Sequence, residues 1–244
     1  MISIDPPEVE TRRLWEKLAE LATQLGVDRE WCLIGGLMVQ LHAYEHGEDS
    51  RPTDDIDLLG NSRSRPSMTE RIAEVLNDAG ATLATPSSTD PSLGYRFEID
   101  GETVEVLGPD GLKRDPSTLG NFETIQVPGG TQALRRTEKV SISVAGGPET
   151  EIRRPTLLGA ILLKARATVR VRGRFEEHRE DLVRLLGFVH DPRAEAADGR
   201  LTANERKWLQ AVDADVRLDD PVLHSAFSDR QLERARQAFE LLAR

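Results

Sequence analysis

Apolar residues near the start of the chain recur at helical spacing. Between Pro7 and Leu25, the apolar positions Leu14, Leu18, Leu21 and Leu25 are three or four residues apart. This spacing places their side chains on one face of a helix. The pattern therefore predicts a leading amphipathic helix that buries one side against a core.

Short apolar runs separated by turn residues follow this helix. Trp31 to Ile34 is typical of a buried strand, and Gly35-Gly36 interrupts it. Leu37 to Tyr44 then predicts an amphipathic helix, and Ile56 to Leu59 predicts a second strand. The predicted order is therefore strand, glycine pair, helix and strand.

The middle of the chain alternates between helical and strand-like patterns. Met68 to Ala79 predicts a helix. Tyr95 to Ile99 and Thr103 to Leu107 alternate polar with apolar residues, and Asp100-Gly101 between them is a strong hairpin signal. Further short strands are expected at Glu123 to Val127 and at Val140 to Val144.

The pattern changes near Gly146-Gly147-Pro148, and beyond this point it is helical. The predicted helices are Thr156 to Val171, Phe175 to Val189, Ala203 to Val212 and Asp229 to Leu242. We therefore expect an α+β protein with two domains. Residues 1–147 would form a mixed sheet flanked by helices, and residues 148–244 a helical domain.

Composition indicates the class of protein and the cellular compartment that we expect. The 244 residues are 38% hydrophobic and 30% charged, as in a globular protein. The chain shows no secretory leader and no run of eighteen apolar residues, so we expect a cytoplasmic protein without a membrane span. Cys32 is the single cysteine, which excludes an intramolecular disulfide framework, and it is most simply a small buried residue.

Charge is distributed unevenly along the chain. The formal net charge of −10 argues against broad, non-specific binding of nucleic acid. Between Glu151 and Phe175, however, Glu151 is the only acidic residue and there are seven basic residues: Arg153, Arg154, Lys164, Arg166, Arg170, Arg172 and Arg174. This basic segment suits a local polyanion such as a triphosphate or a short length of RNA. A solvated helix face is the alternative interpretation.

Two carboxylates on the second predicted strand are candidate metal ligands. Asp55 and Asp57 are two residues apart, so their side chains leave the same face, while Ile56 points into the core. Mg²⁺ prefers such oxygen ligands together with phosphate oxygens. Asp54 alternates to the other side and is not counted. A D-x-D alone is weak evidence, because surface acids often match it by chance.

Two further features complete a candidate site. Gly35 and Gly36 would let the backbone approach a ligand closely, with the amides of the following helix directed at a phosphate. Taken singly, a glycine pair is more often a plain turn. Glu105 is an acid in the middle of an otherwise apolar strand and is a candidate third carboxylate. The alternative interpretation is that Glu105 lies on the solvated face of an edge strand.

The order of these motifs resembles the nucleotidyltransferase superfamily of the polymerase-β type, and more narrowly its AbiEii/AbiGii toxin branch. The branch pattern Arg-x-(Ser/Thr)-x-Asp-Ile-Asp is matched by Arg51, Thr53, Asp55, Ile56 and Asp57. The branch also carries a lysine on a helix after a proline, a basic segment and a later aspartate-leucine, matched by Pro155, Lys164, Arg166 to Arg174 and Asp181-Leu182. The resemblance covers about residues 31–190.

Two departures from the family pattern are visible. Glu105 stands where the family commonly has aspartate, and its longer side chain could shift the geometry of a metal. The loop between Gly36 and Asp55 is also longer than in compact members, so Glu45 to Ser50 could form a lid or an insertion.

The resemblance implies a nucleotidyltransferase-like fold with a site made from both domains. Asp55, Asp57 and Glu105 would hold Mg²⁺, in a one- or two-metal site, with an NTP as substrate, and Glu105 could instead take the proton of the acceptor hydroxyl. The residues implied in nucleotide binding are Gly35, Gly36, Arg51, Thr53 and Lys164, although Arg51 could equally anchor its loop. Lys164 would neutralise the departing pyrophosphate, and Asp181 would orient Lys164 or meet the nucleotide.

The activity implied is transfer of an NMP from an NTP to an acceptor. The resemblance implies that the acceptor is RNA, in particular a tRNA 3′ end, in a bacterial toxin–antitoxin or phage-defence system with a cognate antitoxin as partner. One alternative is an antibiotic-modifying enzyme with a small-molecule acceptor, and another is an inactive binding protein of the same fold.

His42 and His46 are four residues apart and could resemble a pair of zinc ligands. A third ligand at suitable spacing is lacking in the sequence, so zinc is not expected there.

Overall fold

A computed structural model gives the chain as two units, Met1–Pro155 and Thr156–Arg244. It describes residues 1–27, 30–64, 67–84, 90–170, 175–194, 201–216 and 221–244, without the side chains of residues 213–216, 221 and 222.

Strands in the described residues form two sheets, both within the N-terminal unit. The strands are β1 (Ile2–Ile4), β2 (Trp31–Leu33), β3 (Asp55–Gly60), β4 (Thr82–Leu83), β5 (Arg96–Ile99), β6 (Glu102–Pro109), β7 (Gln126–Val127), β8 (Thr137–Val144) and β9 (Glu149–Pro155). The larger sheet has the order β2-β3-β6-β5-β4, with β7 also paired to β6, and the smaller has the order β1-β8-β9. β3 and β6 are parallel and β2 and β5 are antiparallel to them, so the larger sheet is mixed as expected.

Helices flank this sheet and make up the C-terminal unit. They are α1 (Val9–Leu25), α2 (Gly35–Glu45), α3 (Met68–Asp78), α4 (Gly130–Arg135), α5 (Leu157–Arg170), α6 (Phe175–Gly187), α7 (Ala203–Val216), α8 (Pro221–Ala226) and α9 (Asp229–Ala243). α1 and α3 contact both β3 and β6, and α2 contacts β3. Within the described residues, no helix has the length and apolar character needed to cross a membrane.

The inner strands β3 and β6 of the larger sheet consist mostly of buried apolar residues. Ile56, Leu58 and Leu59 of β3 are fully buried, as are Val104 and Val106 of β6. Strands covered on both faces are expected to read as continuous apolar runs. An acid on either strand is therefore conspicuous, and the register between the strands decides which acids meet.

The predicted hairpin is confirmed, with its turn at Asp100-Gly101. Both turn residues have positive φ, +53° and +87°, as a two-residue type I′ hairpin turn requires. The turn fixes the register from Ile99 opposite Glu102 to Arg96 opposite Glu105. The cross-strand neighbour of Glu105 thus follows from the length of the turn.

Helix α2 differs from its prediction as an amphipathic helix, because it is buried from Gly36 to Ala43. The two polar side chains within this buried stretch, Gln40 and His42, have partners in the interior. Gln40 Oε1 accepts a hydrogen bond from Trp15 Nε1 at 3.0 Å, and His42 Nε2 lies 3.2 Å from the Pro155 carbonyl oxygen. Gln40 and His42 are therefore buried groups with hydrogen bonds, which is how buried polar groups are normally accommodated.

Strand β9 was not predicted, because almost everything beyond Gly146-Gly147-Pro148 was expected to be helical. Glu149–Pro155 pairs antiparallel with β8, so the N-terminal unit continues to Pro155 rather than ending at residue 147. The strand is mostly polar in sequence, and its Arg154, only 2% exposed, can be buried because it is ion-paired. Its Nε donates to Glu138 Oε1 at 3.0 Å, and its Nη2 donates to Glu45 Oε2.

The helical character of the C-terminal part is confirmed. The apolar face of α5 includes the fully buried Ile161 and Leu162, and that of α6 includes Leu182 and Leu185. α5 packs on α6 and α7, and α9 packs on α6 and α7. α9 begins with a capping box between Ser228 and Gln231, which satisfies two amide groups at the helix start.

Candidate active site

Three carboxylates converge on the central strands of the N-terminal unit. Asp57 of β3 and Glu105 of β6 are direct partners in the parallel register, and Asp55 lies on the same strand two residues before Asp57. One oxygen from each of the three side chains lies within 4.8 Å of the others. Asp55 is buried, at 6% exposure, and Asp57 and Glu105 are half-buried. β6 is an inner strand, so the acid of Glu105 does not mark a solvated edge.

The donor set suits a hard divalent cation. All three ligands are carboxylate oxygens, which favour Mg²⁺ or Mn²⁺ over zinc or copper. Three negative charges this close repel one another, and a bound cation would relieve the repulsion. The residues present therefore fit Mg²⁺, with Asp55, Asp57 and Glu105 as the side chains that would hold it.

Gly35, the first residue of α2, lies directly against the Asp57 carboxylate. A Cβ atom at this position would stand 1.7 Å from Asp57 Oδ2 and 2.6 Å from its Cγ. Gly35 also has a φ of +70°, a conformation that other residues rarely adopt. The glycine therefore brings the N-terminus of an eleven-residue helix next to the carboxylates, where its partial positive charge suits an anion.

Gly36 makes a second close approach, to Thr53. A Cβ atom on Gly36 would stand 2.5 Å from Thr53 Oγ1. Thr53 Oγ1 donates a hydrogen bond to Asp55 Oδ1 at 3.0 Å. The glycine pair thus contacts one carboxylate directly and the other through the threonine hydroxyl, which orients Asp55.

The backbone carbonyl of Arg51 is tied to the buried helix α2. Gln40 Nε2 donates to Arg51 O at 3.0 Å, while the same side chain accepts from Trp15. The Arg51 guanidinium donates to the neighbouring Pro52 carbonyl at 3.2 Å. Gln40 therefore anchors the segment that leads into β3, a role that the sequence does not signal beyond one polar residue in an apolar helix.

Arg96 is a site residue that the sequence interpretation missed. Its Nε donates to Glu105 Oε1 at 3.0 Å, and its Nη2 donates to the same oxygen. This hydrogen bond with Glu105 raises the pKa of Arg96 above its ordinary value, and the charges of Glu105 and Asp55 add to the effect. The register of the predicted hairpin could have identified Arg96 from the sequence, because a two-residue turn at Asp100-Gly101 puts Arg96 opposite Glu105.

Lys164 and Asp181 lie in the C-terminal unit, where they form an ion pair. Lys164 Nζ donates to Asp181 Oδ2 at 2.7 Å, with side-chain exposures of 5% and 1%. The two residues join α5 to α6. The pair therefore fixes the position of the lysine ammonium, as expected if Asp181 orients Lys164.

The basic segment from Arg153 to Arg174 is largely used inside the protein. Its partnered members are Arg153 (with Val27 and Thr137), Arg154 (with Glu45 and Glu138), Lys164 (with Asp181) and Arg166 (stacked over Trp208). Arg170 is exposed, and Arg172 and Arg174 lie outside the described residues. These contacts reduce the number of cations that the segment offers to a polyanion.

His42 and His46 do not form a metal pair with a third ligand among the residues that the structure describes. Burial, with a further contribution from the positive charge of Arg154, holds the pKa of His42 well below its ordinary value. His46 Nδ1 lies 2.8 Å from the His42 carbonyl oxygen. Burial likewise raises the pKa of the Cys32 thiol to about 12, which makes it unreactive.

Comparisons with known proteins identify the fold. No family model matches the chain, and no curated protein matches it in sequence. Among solved structures, the crystal structure of an antigenic nucleotidyltransferase-like protein from Paracoccidioides brasiliensis is similar, with a TM-score of 0.51 and 16% identity. The similarity covers 92% of this chain and 93% of that chain. The chain therefore has the nucleotidyltransferase-like fold that the resemblance implied.

Proposed function

We propose that this chain is a metal-dependent nucleotidyltransferase that transfers an NMP from an NTP to an acceptor hydroxyl. The observation that carries the proposal is the convergence of Asp55, Asp57 and Glu105 beside the glycine-containing start of α2, in a nucleotidyltransferase-like fold. In the reaction, the acceptor oxygen forms a bond to the α-phosphorus, the bond between that phosphorus and the bridging oxygen breaks, and pyrophosphate leaves.

The side chains of the site divide this work. Asp55, Asp57 and Glu105 would hold Mg²⁺, which supplies charge neutralisation to the triphosphate when bound. Gly35 and Gly36 allow phosphate groups to approach the amides at the start of α2. Most of the catalytic effect then comes from positioning and electrostatic stabilisation, as in phosphoryl transfer generally.

Glu105 and Lys164 have further proposed roles. A Glu105 oxygen that does not hold metal can accept the proton of the acceptor hydroxyl. We also assign Lys164 to nucleotide binding and to charge neutralisation of the pyrophosphate, with Asp181 orienting it through their 2.7 Å ion pair. Arg51 and Thr53 contribute to nucleotide binding in the same proposal, with Thr53 also orienting Asp55.

RNA, and a tRNA 3′ end in particular, is the acceptor that the resemblance to the AbiEii/AbiGii branch suggests. In that setting the chain would be the toxin of a cytoplasmic toxin–antitoxin or phage-defence pair, with a cognate antitoxin as its protein partner. Within the described part of the basic segment, Arg170 is exposed.

A cationic small molecule is a second candidate acceptor, and two observations favour it. The chain has a formal net charge of −10, which attracts cations. In addition, Arg153, Arg154, Lys164 and Arg166 have partners inside the protein. An antibiotic-modifying enzyme would have these properties.

Label transfer tests the activity and separates the two acceptors. The protein is incubated with each labelled NTP and Mg²⁺, either with total tRNA or with an aminoglycoside. Transfer to tRNA supports the RNA acceptor, and transfer to the aminoglycoside alone supports the small molecule. If no NTP gives transfer to either acceptor under conditions where a known nucleotidyltransferase is active, the proposed reaction is wrong.

A matched pair of variants tests the site. Asp57→Asn removes the negative charge of a proposed ligand, and transfer should fall by at least about 100-fold, because several kcal/mol of charge stabilisation is lost. Asp54→Asn removes the same charge from an exposed neighbour outside the carboxylate cluster and should retain activity. Equal activity of the two variants would show that Asp57 is not a ligand at the catalytic site.

A further inference from the structure

Arg96 is placed to act on the metal centre through Glu105. It lies on β5 directly opposite Glu105 in the hairpin register. Its side chain is 48% exposed, whereas that of Glu105 is 12% exposed. The ion pair therefore reaches from the surface to the edge of the carboxylate cluster.

The contact uses only one of the two Glu105 oxygens. Nε and Nη2 of Arg96 both donate to Oε1, and no hydrogen bond from a described residue to Oε2 accompanies them. With this ion pair in place, the carboxylates of Asp55, Asp57 and Glu105 still approach within 4.8 Å. The arrangement that Arg96 stabilises is therefore already suited to a metal.

Glutamate needs such a partner more than aspartate would. It has one more methylene group and one more rotatable bond, and ordering a glutamate side chain costs about 1.5 to 2 kcal/mol. A glutamate side chain that a guanidinium already holds has lost this rotational freedom before the metal binds. Partners of metal ligands that act in this way typically change metal affinity by about 10- to 100-fold.

We propose that Arg96 is a positioning residue that orders Glu105 as the third ligand of the metal centre. The inference rests on the proposed function, since it assumes that the three carboxylates hold the metal. The positive charge of Arg96 opposes a second cation nearby, but a half-exposed guanidinium is well screened by water. Ordering therefore outweighs repulsion, and loss of Arg96 weakens metal binding.

Binding of Mn²⁺ tests the inference without any measurement of activity. Mn²⁺ prefers the same oxygen ligands as Mg²⁺, and its free concentration can be followed by electron paramagnetic resonance. Arg96→Gln should bind Mn²⁺ about 10-fold more weakly than wild type, and Arg96→Lys should lie between the two. Arg71→Gln is the matched control, because Arg71 is a similarly exposed arginine, at 47%, and is paired with Glu74 on α3. It should bind Mn²⁺ as wild type does.

A double-mutant cycle shows whether Arg96 acts through Glu105. The shorter side chain in Glu105→Asp cannot make the same contact, so adding Arg96→Gln to it should change the affinity by no more than about twofold. Unchanged or tighter binding by Arg96→Gln, or an equal loss in both backgrounds, overturns the inference and leaves the metal centre in place. Absence of Mn²⁺ binding by the wild-type protein overturns both this inference and the proposed metal centre. Loss of Mn²⁺ binding in Asp57→Asn shows that the measured ion is bound at this site.

Discussion

At the scale of single residues, the carboxylate cluster depends on a residue that carries no functional group. Gly35 leaves the space that the Asp57 carboxylate occupies, and its positive φ turns the chain from β2 into α2. A larger residue would have to displace Asp57, one of the three proposed ligands. The geometry of the candidate metal site is therefore set as much by the absence of a Cβ atom at Gly35 as by the acids.

Gly35→Ala should abolish Mn²⁺ binding and nucleotidyl transfer. The new Cβ atom would stand 1.7 Å from Asp57 Oδ2, so the carboxylate must move. Gly47→Ala is the matched control, because Gly47 has a φ of +68° but no atom within 4 Å of the added Cβ. Both variants should lose about 1 to 3 kcal/mol of stability from backbone strain, measured by urea unfolding. Loss of Mn²⁺ binding in Gly47→Ala as well would contradict the assignment to the Asp57 contact.

The sequence predicts the acids of the site better than the residues that hold them. Asp55 and Asp57 follow from the two-residue period of a strand, and Glu105 from its apolar surroundings. Arg96 was within reach of the sequence, through the register of the hairpin. Gln40 was not, because its partners Trp15 and the Arg51 carbonyl are brought to it by tertiary structure.

At the scale of helices and strands, buried polar contacts join elements that the sequence shows as separate. His42 links α2 to the end of β9, and Arg154 of β9 links back to Glu45 of α2 and to Glu138 of β8. Because these contacts join residues distant in sequence, β9 could not be recognised from its own sequence. Apart from the fully buried Ile152, its pattern is mostly polar, and Arg154 is buried only through partners distant in sequence.

The burial of His42 predicts a pH dependence of stability. Burial and the charge of Arg154 lower the pKa of His42 in the folded state, well below its ordinary value of 6.5. The unfolded chain therefore takes up a proton first as pH falls, so the contribution is complete above about pH 6.5 and is lost below it. The maximal slope from one group is about 1.4 kcal/mol per pH unit.

Urea unfolding between about pH 8 and pH 5 measures this contribution. His42→Gln removes the titrating group, so its free energy of unfolding should fall less steeply below about pH 6.5 than that of wild type. The comparison is between slopes, because the substitution itself also changes stability in a buried site. Identical slopes in the two proteins would contradict the prediction.

The ion pair between α5 and α6 predicts a large effect on stability in the helical unit. Lys164→Met leaves the Asp181 carboxylate, 1% exposed, buried without its lysine. Loss of one partner of a buried ion pair costs about 3 to 5 kcal/mol. The double variant Lys164→Met, Asp181→Leu should recover much of this loss, as measured by urea unfolding. A single variant as stable as wild type would show that the pair does not support the unit.

At the scale of the whole molecule, negative charge is concentrated as well as abundant. The formal net charge is −10, and three carboxylates lie within 4.8 Å of one another. Binding of a cation by the folded state alone stabilises that state by mass action. The protein should therefore be more stable with a divalent metal than without it.

Thermal unfolding with Mg²⁺ and with EDTA tests this expectation at constant ionic strength. At a Mg²⁺ concentration about 100 times its Kd, the stabilisation should be about 2.7 kcal/mol, with a corresponding rise in Tm. Asp57→Asn should lose most of the Mg²⁺-dependent rise, whereas Asp54→Asn should keep it. A similar rise in all three proteins would indicate non-specific screening rather than a metal centre.

The tight turn at Asp100-Gly101 has a consequence for how the chain can tolerate insertions and deletions. Because the turn has two residues, Arg96 and Glu105 face each other only while the segment between them keeps its length. One residue gained or lost there would shift the strands past each other and turn alternate side chains to the opposite face. In related chains that keep this ion pair, alignments should be free of gaps from residue 96 to residue 105, even where the residues within that segment differ.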